Sequence, residues 1–442
     1  MSPLANLAVA AATPGSADVA WVLVSTALVL LMTPGLALFY GGLVRAKNVL
    51  NTMMMSLAAF AGAGLAWAVF GYSLAFAPGT GWLGGTGHVL LGGVGLEDHG
   101  GVPHLLFFAF QGTFAVITVA LVSGAVVERL RFGPWLVFSA LWTLLVYAPV
   151  CHWVWGGGWL ARLGALDFAG GTVVHVNAGT AALVAALVLG SRRDWGRQAL
   201  LPHSVPLVLL GASLLWFGWF GFNAGSALGA NDSAVLAFAT TLLSPMATLA
   251  VWMVLDRWRT GRVTAVGAAT GIVVGLVAIT PAAGFVSPRS ALALGALAAL
   301  PSYFGLLLRV RTRLDDSLDV VAAHGLGGVS GALLTGVFAS AAWGGTAGLL
   351  EGAPGLVARQ AAAVGATLLW SAAGTWSVLK AIERFAPLRA SERHQGRGLD
   401  VEQHGEEAYG SGEGAILVLP DAVAPTPSRT AAQVGLGVAA EA

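Results

Sequence analysis

The feature that most constrains the fold of this chain is a series of about eleven apolar stretches, each long enough to cross a bilayer as a helix. The stretches are 19–40, 49–76, 103–127, 133–151, 171–190, 204–222, 232–255, 262–279, 284–309, 318–340 and 355–384. The alternating pattern of a membrane β-barrel is absent. Because backbone groups inside a bilayer must be satisfied by the chain itself, helices are the remaining solution. We therefore predict an all-α integral membrane protein.

The composition supports the same class of protein. Only 10% of the 442 residues are charged and 57% are hydrophobic, whereas soluble domains carry roughly 25% charged residues. A net charge of +1 and the lack of a large basic patch argue against a nucleic-acid partner. Cys151 is the single cysteine, which excludes an intrachain disulfide and a thiolate metal cluster. We predict no cofactor, no metal and no enzymatic activity.

The positive charges between the stretches predict the orientation. The loops after the odd-numbered stretches carry nearly all of the Lys and Arg residues, and the loops after the even-numbered ones contain only Arg162 and Arg289. The positive-inside rule then places the odd loops and the C-terminus in the cytoplasm and the N-terminus outside. The expected location is the inner or plasma membrane, crossed many times.

Changes in composition along the chain predict four segments. Residues 1–18 form a short external tail that lacks the basic region of a cleavable signal. Residues 19–384 form the membrane domain, 385–409 form a charged cytoplasmic tail, and 410–442 are rich in Ala, Pro, Gly and Ser and are predicted to be disordered. Stretches 1–5 and 6–10 can form two halves. Because each half then has an odd number of helices, the two halves lie in opposite orientations in the membrane and form an inverted repeat. Stretch 11 is one extra helix.

Two histidines lie within otherwise apolar stretches in corresponding halves. His175 and His324 each precede a glycine by four positions. An ionisable side chain at membrane depth usually faces a partner or a cavity, so we predict a shared pore lining. Burial favours the neutral imidazole, which has one donor and one acceptor nitrogen, so the pair can share one hydrogen bond. For either histidine alone, a satisfied core residue is the alternative. Two ligands without a third do not indicate a zinc site.

Seven segments together resemble a known family. They are GLALFYGGL at 35–43, QGTF at 111–114, WGGG at 155–158, DFAGGTVVH at 167–175, WFGFNAGS at 219–226, AITPAAG at 278–284 and HGLGG at 324–328. The chain from residue 19 to 409 resembles the ammonium transporters of the Amt/Mep/Rh superfamily, and within it the bacterial Amt branch. The resemblance implies a homotrimer in the lipid bilayer with one pore per protomer, and ammonium or methylammonium as substrate.

The resemblance also implies an external ammonium site made of Trp155, Phe110 and Ser226. Aromatic faces attract a cation and a hydroxyl oxygen can accept a hydrogen bond from N–H, which suits NH₄⁺. The alternative is that the aromatic residues belong to the interface belt and that Ser226 packs helices.

Below that site, Phe110 and Phe222 resemble the stacked pair that closes the pore. Phe114 and Trp219 resemble pore wall further down, together with the two histidines. An apolar constriction rejects hydrated ions because they must lose water to pass. The alternative is that these aromatic side chains only fill the core.

Four residues are expected to be structural or electrostatic. Asp167 precedes the fifth stretch as a helix cap, where a carboxylate meets free N–H groups and the positive end of the dipole. Asp319 is expected to play the matching part before His324. Gln111 and Thr280 lie in the family-like segments and are placed in the same group.

The tail resembles the regulatory segment of Amt proteins through Gly398, Asp400, His404 and Tyr409. In that family the segment packs under the trimer and cooperates with a docking P-II-type signal protein. The alternative is a solvated charged tail.

These expectations combine into one mechanism. NH₄⁺ is held outside, loses its proton near the phenylalanine pair and crosses as NH₃, while the proton travels separately by way of the histidines. K⁺ fails because it has no proton to release. Two alternatives stay open: an Rh-type channel that conducts NH₃ without net charge, and an ammonium sensor or transceptor. A sodium symporter of another fold would not explain the histidine pair.

Overall fold

The computed structural model describes residues 14–410. The prediction of disorder for 411–442 and most of the predicted external tail lie outside these residues. Within 14–410, ten helices are long and apolar enough to cross a bilayer, and one apolar helix is shorter. The eleven helices are α1 (Ser16–Leu43), α2 (Ala46–Phe76), α3 (His104–Val126), α4 (Phe132–Leu163), α5 (Gly171–Leu189), α6 (Val205–Gly225), α7 (Asp232–Thr260), α8 (Ala265–Ile279), α9 (Pro288–Arg309), α10 (Val321–Phe338) and α11 (Gly355–Glu383).

The helices match the predicted stretches, and apart from the C-terminal end of α4 every helix end lies within five residues of the predicted one. α4 continues past residue 151 to Leu163, with a break at 155–158. α9 begins at Pro288 because the Ser287 hydroxyl accepts a hydrogen bond from the Ser290 N–H and proline suits the first helical position. α8 has only 15 residues and ends in a turn at 280–285 that brings Thr280 into the bundle.

The end of the bundle that carries loop 77–103 is called the outer end, following the predicted orientation. This loop contains a two-stranded antiparallel hairpin, β1 (Asp98–His99) and β2 (Val102–Pro103). At the opposite, inner end, two short helices follow α11, namely α12 (Glu392–Arg397) and α13 (Leu399–His404).

α5 and α10 are matching elements of the two halves. Each opens with a six-residue π-helical turn that carries a histidine, Gly171–Val176 in α5 and Val321–Leu326 in α10. The two helices cross where Gly179 meets the backbone of Gly325, so closely that a side chain on Gly179 would overlap it. Small residues permit such close approach between membrane helices. The crossing brings the two histidines together in the centre of the bundle.

The pairing of α1 with α6 uses the same principle. Gly211, Gly218 and Gly221 on α6 lie against Phe39, Met32 and Leu28 of α1, respectively. α1 and α6 are the first helices of the two halves, so this contact joins the two halves.

Candidate functional site

The two predicted histidines meet at the centre of the molecule. The Nδ1 atoms of His175 and His324 lie 3.2 Å apart, and their ring centroids are 5.2 Å apart at an interplanar angle of 22°. The side chains are nearly inaccessible, with 1% and 3% of their surfaces exposed. Since a hydrogen bond needs one donor, one Nδ1 carries a proton and the other accepts it.

A narrow cavity, called the lumen, surrounds this pair. It is lined by Met32, Leu36, Phe39, Ile117, Leu121, Val174, His175, Leu215, Trp219, Phe222, Val273 and His324. Its volume is about 10 Å³, which is close to the minimum for a single water molecule. Apart from the imidazoles, the wall is almost entirely apolar. The lumen therefore offers no replacement for the hydration shell of an ion.

A column of rings connects His175 to the outer end. Trp219 stacks on His175 with centroids 5.4 Å apart and planes at 20°, and Phe222 lies 6.1 Å from the same imidazole. The ring of Phe114 lies 4.2 Å from that of Phe222 at 30°, and Trp155 meets Phe114 edge-on at 5.9 Å. The order from outside to inside is therefore Trp155, Phe114, Phe222 and His175.

The predicted pairing of Phe110 with Phe222 is corrected by this geometry. The ring stacked on Phe222 belongs to Phe114, and Phe110 packs against Phe114 at 4.9 Å and 66°. Phe110 is fully buried. The two phenylalanines lie about one turn apart on α3 and share a face, so sequence alone does not tell which of them reaches Phe222.

A wider cavity, called the outer cavity, lies above the column. It has a volume of about 290 Å³ and is lined by Phe76, Phe107, Gln111, Val154, Trp155, Phe168, Ser226 and Leu228. Trp155 and Ser226 thus lie where the sequence predicts, whereas Phe110 does not line this cavity. Phe107 takes part instead. Sequence reasoning missed this residue, although it precedes Gln111 by one helical turn.

The Ser226 hydroxyl is the hydrogen-bond acceptor that lines the outer cavity. The Ser226 hydroxyl donates its proton to the carbonyl oxygen of Phe222 over 2.8 Å, which leaves its lone pairs free to accept. The buried Oε1 atom of Gln111 has no partner among the described residues. Trp155 donates its Nε1–H to the carbonyl oxygen of Asp167 over 2.8 Å, which fixes the orientation of the indole ring.

Asp167 takes the predicted capping position at the start of α5. Its carboxylate accepts hydrogen bonds from four backbone N–H groups, of Gly170, Gly171, Thr172 and Val173, at 2.6–3.0 Å. Burial raises the pKa of Asp167, and the four donors act in the opposite direction. The cap satisfies the first amides of a helix that begins inside the bundle rather than at its surface.

The matching residue in the second half is Asp316, and the prediction for Asp319 is corrected. Asp316 precedes His324 by the same eight positions by which Asp167 precedes His175, and its carboxylate accepts from the Val321 N–H over 2.7 Å. Asp319 instead corresponds in position to Gly170.

Both Asp319 and Gly170 adopt positive φ angles, 64° and 116°. The Asp319 carboxylate pairs with Arg309 at 2.8 Å. Asp319 is the aspartate nearest to His324 in the sequence, but the spacing of the repeat identifies Asp316.

An ion cluster at the inner end was not predicted. Glu128 is 1% exposed and contacts Arg45 and Arg192 at 2.9 and 3.0 Å, and Arg192 also pairs with Asp315 at 2.8 Å. Burial alone would raise the pKa of Glu128, but the two guanidinium groups outweigh it and lower the pKa to about 2. The cluster joins four inner loops below the lumen.

The predicted tail residues all lie against the inner end. Asp400 accepts from the Asn51 N–H over 2.8 Å near the start of α2, and the His404 ring packs edge-on against Phe132 at 4.8 Å. The Tyr409 hydroxyl and His203 Nε2 are 2.8 Å apart.

Gly398 has a φ of 120°, which permits the turn between α12 and α13. A freely solvated tail does not fit these contacts. No group of three or more His, Cys, Asp or Glu side chains within 14–410 is arranged to hold a metal ion.

Comparisons with known proteins identify the family to which this sequence is similar. The sequence profile described as the Ammonium Transporter Family matches residues 20–409. The ammonium transporter of Aquifex aeolicus is 51% identical over 397 residues, which cover 89% of this chain and 93% of the relative. The ammonium transporter of Bacillus subtilis is 47% identical, with 86% and 96% covered.

Solved structures show the same fold. The crystal structure of Candida albicans Mep2 has a TM-score of 0.82 at 37% identity, with 86% of this chain and 88% of that chain covered. The structure of a protein named Sensor Amt Protein also has a TM-score of 0.82, at 28% identity, with 88% and 98% covered.

The assignment of Asp316 as the second cap makes a prediction about stability. Asp167→Asn and Asp316→Asn each remove a charged acceptor of buried N–H groups and should destabilise the fold by about 1–3 kcal/mol. Asp319→Asn removes a partly exposed ion pair and should cost less than about 1 kcal/mol. Thermal unfolding of purified protein, followed by tryptophan fluorescence, measures the difference. If Asp319→Asn lowers the stability of the fold as much as Asp316→Asn or more, the assignment is contradicted.

Proposed function

The chain belongs to the ammonium transporter family, and from that premise we propose how it transports ammonium: NH₄⁺ is recruited in the outer cavity, gives up its proton at the ring column, and crosses the lumen as NH₃. The observation that carries the proposal is the contact between two imidazoles inside the lumen, 3.2 Å apart. A proton can pass along this contact without the nitrogen.

The outer cavity fits an ammonium ion because a hydroxyl oxygen and an aromatic ring line it together. NH₄⁺ offers four N–H donors, and the lone pairs of Ser226 are acceptors that face no protein donor within 14–410. The indole of Trp155 adds an aromatic face, and such a face contributes about 0.5–2 kcal/mol to binding a cation. K⁺ gains the cation–π contact but donates no hydrogen bonds, so the site favours ammonium.

The ring column and the lumen reject intact ions. Phe114 and Phe222 stack across the path, and the space beyond them is close to the minimum that holds a single water molecule. An ion that enters must lose its water, and removal of water disfavours the charged form of an amine. NH₄⁺ can respond by releasing a proton and becoming NH₃. K⁺ has no such response, which gives selectivity by chemistry rather than by size.

The histidine pair then receives the proton. In the resting pair one proton lies between the two Nδ1 atoms, and the buried Nε2 of His175 has no partner among the described residues. A neutral imidazole with a free acceptor nitrogen can take one proton while it passes another on. We therefore assign His175 and His324 to the proton path, with Trp219 as pore wall beside them.

A sensor is the second candidate, because one of the similar solved structures is that of a protein named Sensor Amt Protein. An Rh-type channel that conducts NH₃ without charge is the third. Electrical recording on reconstituted protein separates them: an ammonium-evoked current supports coupled transport, NH₃ flux without current supports the Rh type, and neither supports the sensor.

The tail and the assembly complete the proposal. The family suggests a homotrimer with the tail in the cytoplasm and the N-terminus outside. Asp400, His404 and Tyr409 join the tail to the inner ends of three different regions of the bundle. A tail held in this way can transmit the docking of a P-II-type signal protein to the inner loops.

The proton path predicts the behaviour of the histidine variants. His175→Ala and His324→Ala should reduce the ammonium-evoked current about 100-fold or more, since proton transfer by a positioned group contributes about 10²–10⁴-fold. His88→Ala, in the outer loop, is the matched control and should retain the current. An unchanged current together with no K⁺ leak in both lumen variants would show that the relay is wrong.

The outer cavity predicts a change in affinity. Trp155→Leu and Ser226→Ala should raise the half-saturation concentration for methylammonium about 2- to 30-fold, with a smaller effect on the maximal rate. Ser213→Ala is the control, because Ser213 lies on the same helix with the same kind of bond to a backbone carbonyl but faces outward. Uptake of labelled methylammonium into proteoliposomes measures both constants. Equal affinities in all three variants would argue against the site.

The tail contacts predict a third result. Asp400→Ala removes the acceptor of the Asn51 N–H, so residues 391–409 should exchange their amide hydrogens at least about tenfold faster, equivalent to roughly 1.4 kcal/mol of lost docking energy. A purified P-II-type protein should then bind more weakly. Glu406→Ala, at an exposed position, should change neither quantity. Identical exchange in the Asp400 and Glu406 variants would contradict a docked tail.

A further inference from the structure

Two histidine rings at the outer end stack on each other beside the outer cavity. The rings of His99, in β1, and His104, at the start of α3, have centroids 4.2 Å apart and planes at 6°. The ring of His99 also lies 4.7 Å from that of Phe107, which lines the outer cavity. A titratable side chain is therefore only one ring away from the cavity in which we place the recruitment of NH₄⁺.

The hairpin that carries His99 forms a negatively charged rim for this cavity. Loop 77–103 contains Glu97 and Asp98 but no Lys or Arg, and both acidic side chains are exposed. Gly101, in the turn of the hairpin, lies beside the carbonyl oxygen of Leu228, another residue that lines the outer cavity. While the imidazoles are neutral, the two carboxylates attract cations to the rim and raise their local concentration.

The Glu97 carboxylate keeps its charge when the outer solution becomes acidic. Backbone N–H groups, its own and that of Gly95, lower the pKa of Glu97, and the nearby His104 ring acts in the same direction. Carboxyl groups ordinarily titrate near pH 4 and imidazoles near pH 6.5. Between about pH 5 and pH 7.5, the histidines are therefore the groups at this rim that change their charge.

His104 is poorly placed to accept an additional proton. Its Nδ1 lies 3.0 Å from Oε1 of Glu97, and because a carboxylate only accepts, Nδ1 already carries a hydrogen. Its Nε2 is buried and has no partner among the described residues, and its ring faces the phenol of Tyr72 at 5.7 Å. A proton added there would be a buried donor without an acceptor, which is costly. His99 is partly exposed, so water can solvate its imidazolium.

The groups that face His99 set the pH at which it becomes charged. Burial lowers the pKa of His99, and the rings of His104 and His88 act in the same direction. Asp98 and Glu97 act against them. His88 lies on the other side of His104, edge-on at 5.0 Å. Because the pKa is lowered, His99 is neutral at pH 7.5 and gains its charge only below about pH 6.5.

We propose that His99 adjusts the affinity of the outer cavity for NH₄⁺ to the acidity at the outer end. When His99 is neutral, the charges of Glu97 and Asp98 draw NH₄⁺ to the rim. When it is protonated, its imidazolium offsets part of that negative charge and places a positive charge against Phe107, so the cavity binds NH₄⁺ more weakly. This inference rests on the proposed recruitment of NH₄⁺ in the outer cavity. His99 exchanges its proton with outer water and acts on the substrate through its charge.

Uptake of labelled methylammonium into proteoliposomes at pH 7.5 and pH 5.0, with equal pH on both sides, tests the proposal. Methylammonium, like the lysine amine, stays cationic throughout this range. In 0.01 M salt, the half-saturation concentration of the wild type should be about 2- to 5-fold higher at the lower pH. His99→Gln has no group to protonate, so its half-saturation concentration should match the wild type at pH 7.5 and should not rise at pH 5.0.

The carboxylates and the salt concentration provide a second measurement. Asp98→Asn keeps the side-chain oxygen that accepts from the Gly101 N–H but loses the charge, so at pH 7.5 it should raise the half-saturation concentration about 2- to 5-fold. Asp98→Glu is the matched control and should not. In 1 M salt, charges are screened within about 3 Å, so the acid effect in the wild type and the effect of Asp98→Asn should both disappear. A purely structural role of these side chains would not respond to salt.

The failures of the inference and of the proposed function are distinguishable. A wild type without an acid-induced rise, a rise that persists in 1 M salt, or an equal rise in His99→Gln would each overturn the role of His99. The salt comparison uses only the wild type, so it decides the question even if His99→Gln does not fold. If Trp155→Leu and Ser226→Ala keep the wild-type half-saturation concentration, recruitment in the outer cavity is itself wrong.

Discussion

The hydrogen bond between two imidazoles in an apolar cavity is the interaction on which the rest of the structure depends. Two neutral rings satisfy each other at 3.2 Å and leave one buried nitrogen of His175 without a protein partner within 14–410. A polar pair in such a place is costly unless its hydrogen bonds are met. The contact exists only because α5 and α10 cross at Gly179 and Gly325, where neither helix has a side chain to separate them.

Two carboxylates allow these helices to begin inside the bundle. The first N–H groups of a helix lack partners, and at this depth water does not supply them. Asp167 accepts four of them in α5, and Asp316 accepts that of Val321 in α10. Because each aspartate lies eight residues before its histidine, the caps also set the height of the imidazoles in the lumen. The same Asp167 segment orients Trp155 through its carbonyl oxygen, so the outer cavity and the histidine pair are built on one element.

Periodicity and composition predict the helices and the meeting of the histidines, because these depend on apolar length and on the cost of burying an ionisable group. The packing of the tail residues against the inner end was expected only from the family resemblance. The errors have a different origin. Phe110 and Phe114 share a face of α3, and the angle at which that helix packs decides which ring reaches Phe222. Asp319 and Asp316 both precede His324, and the histidines and their following glycines alone do not distinguish the two carboxylates. The ion cluster around Glu128 joins members from four loops distant in sequence, and contacts of this kind leave no local pattern.

The central claim is that nitrogen and charge cross the lumen separately. The most direct test compares ammonium-evoked currents of reconstituted wild-type protein in ordinary and heavy water at matched viscosity. If the proton moves between imidazoles, every N–H bond that breaks becomes an N–D bond, which breaks more slowly, and the current should fall beyond the viscosity effect. If the currents are equal once viscosity is matched, the ion passes intact and the account is contradicted.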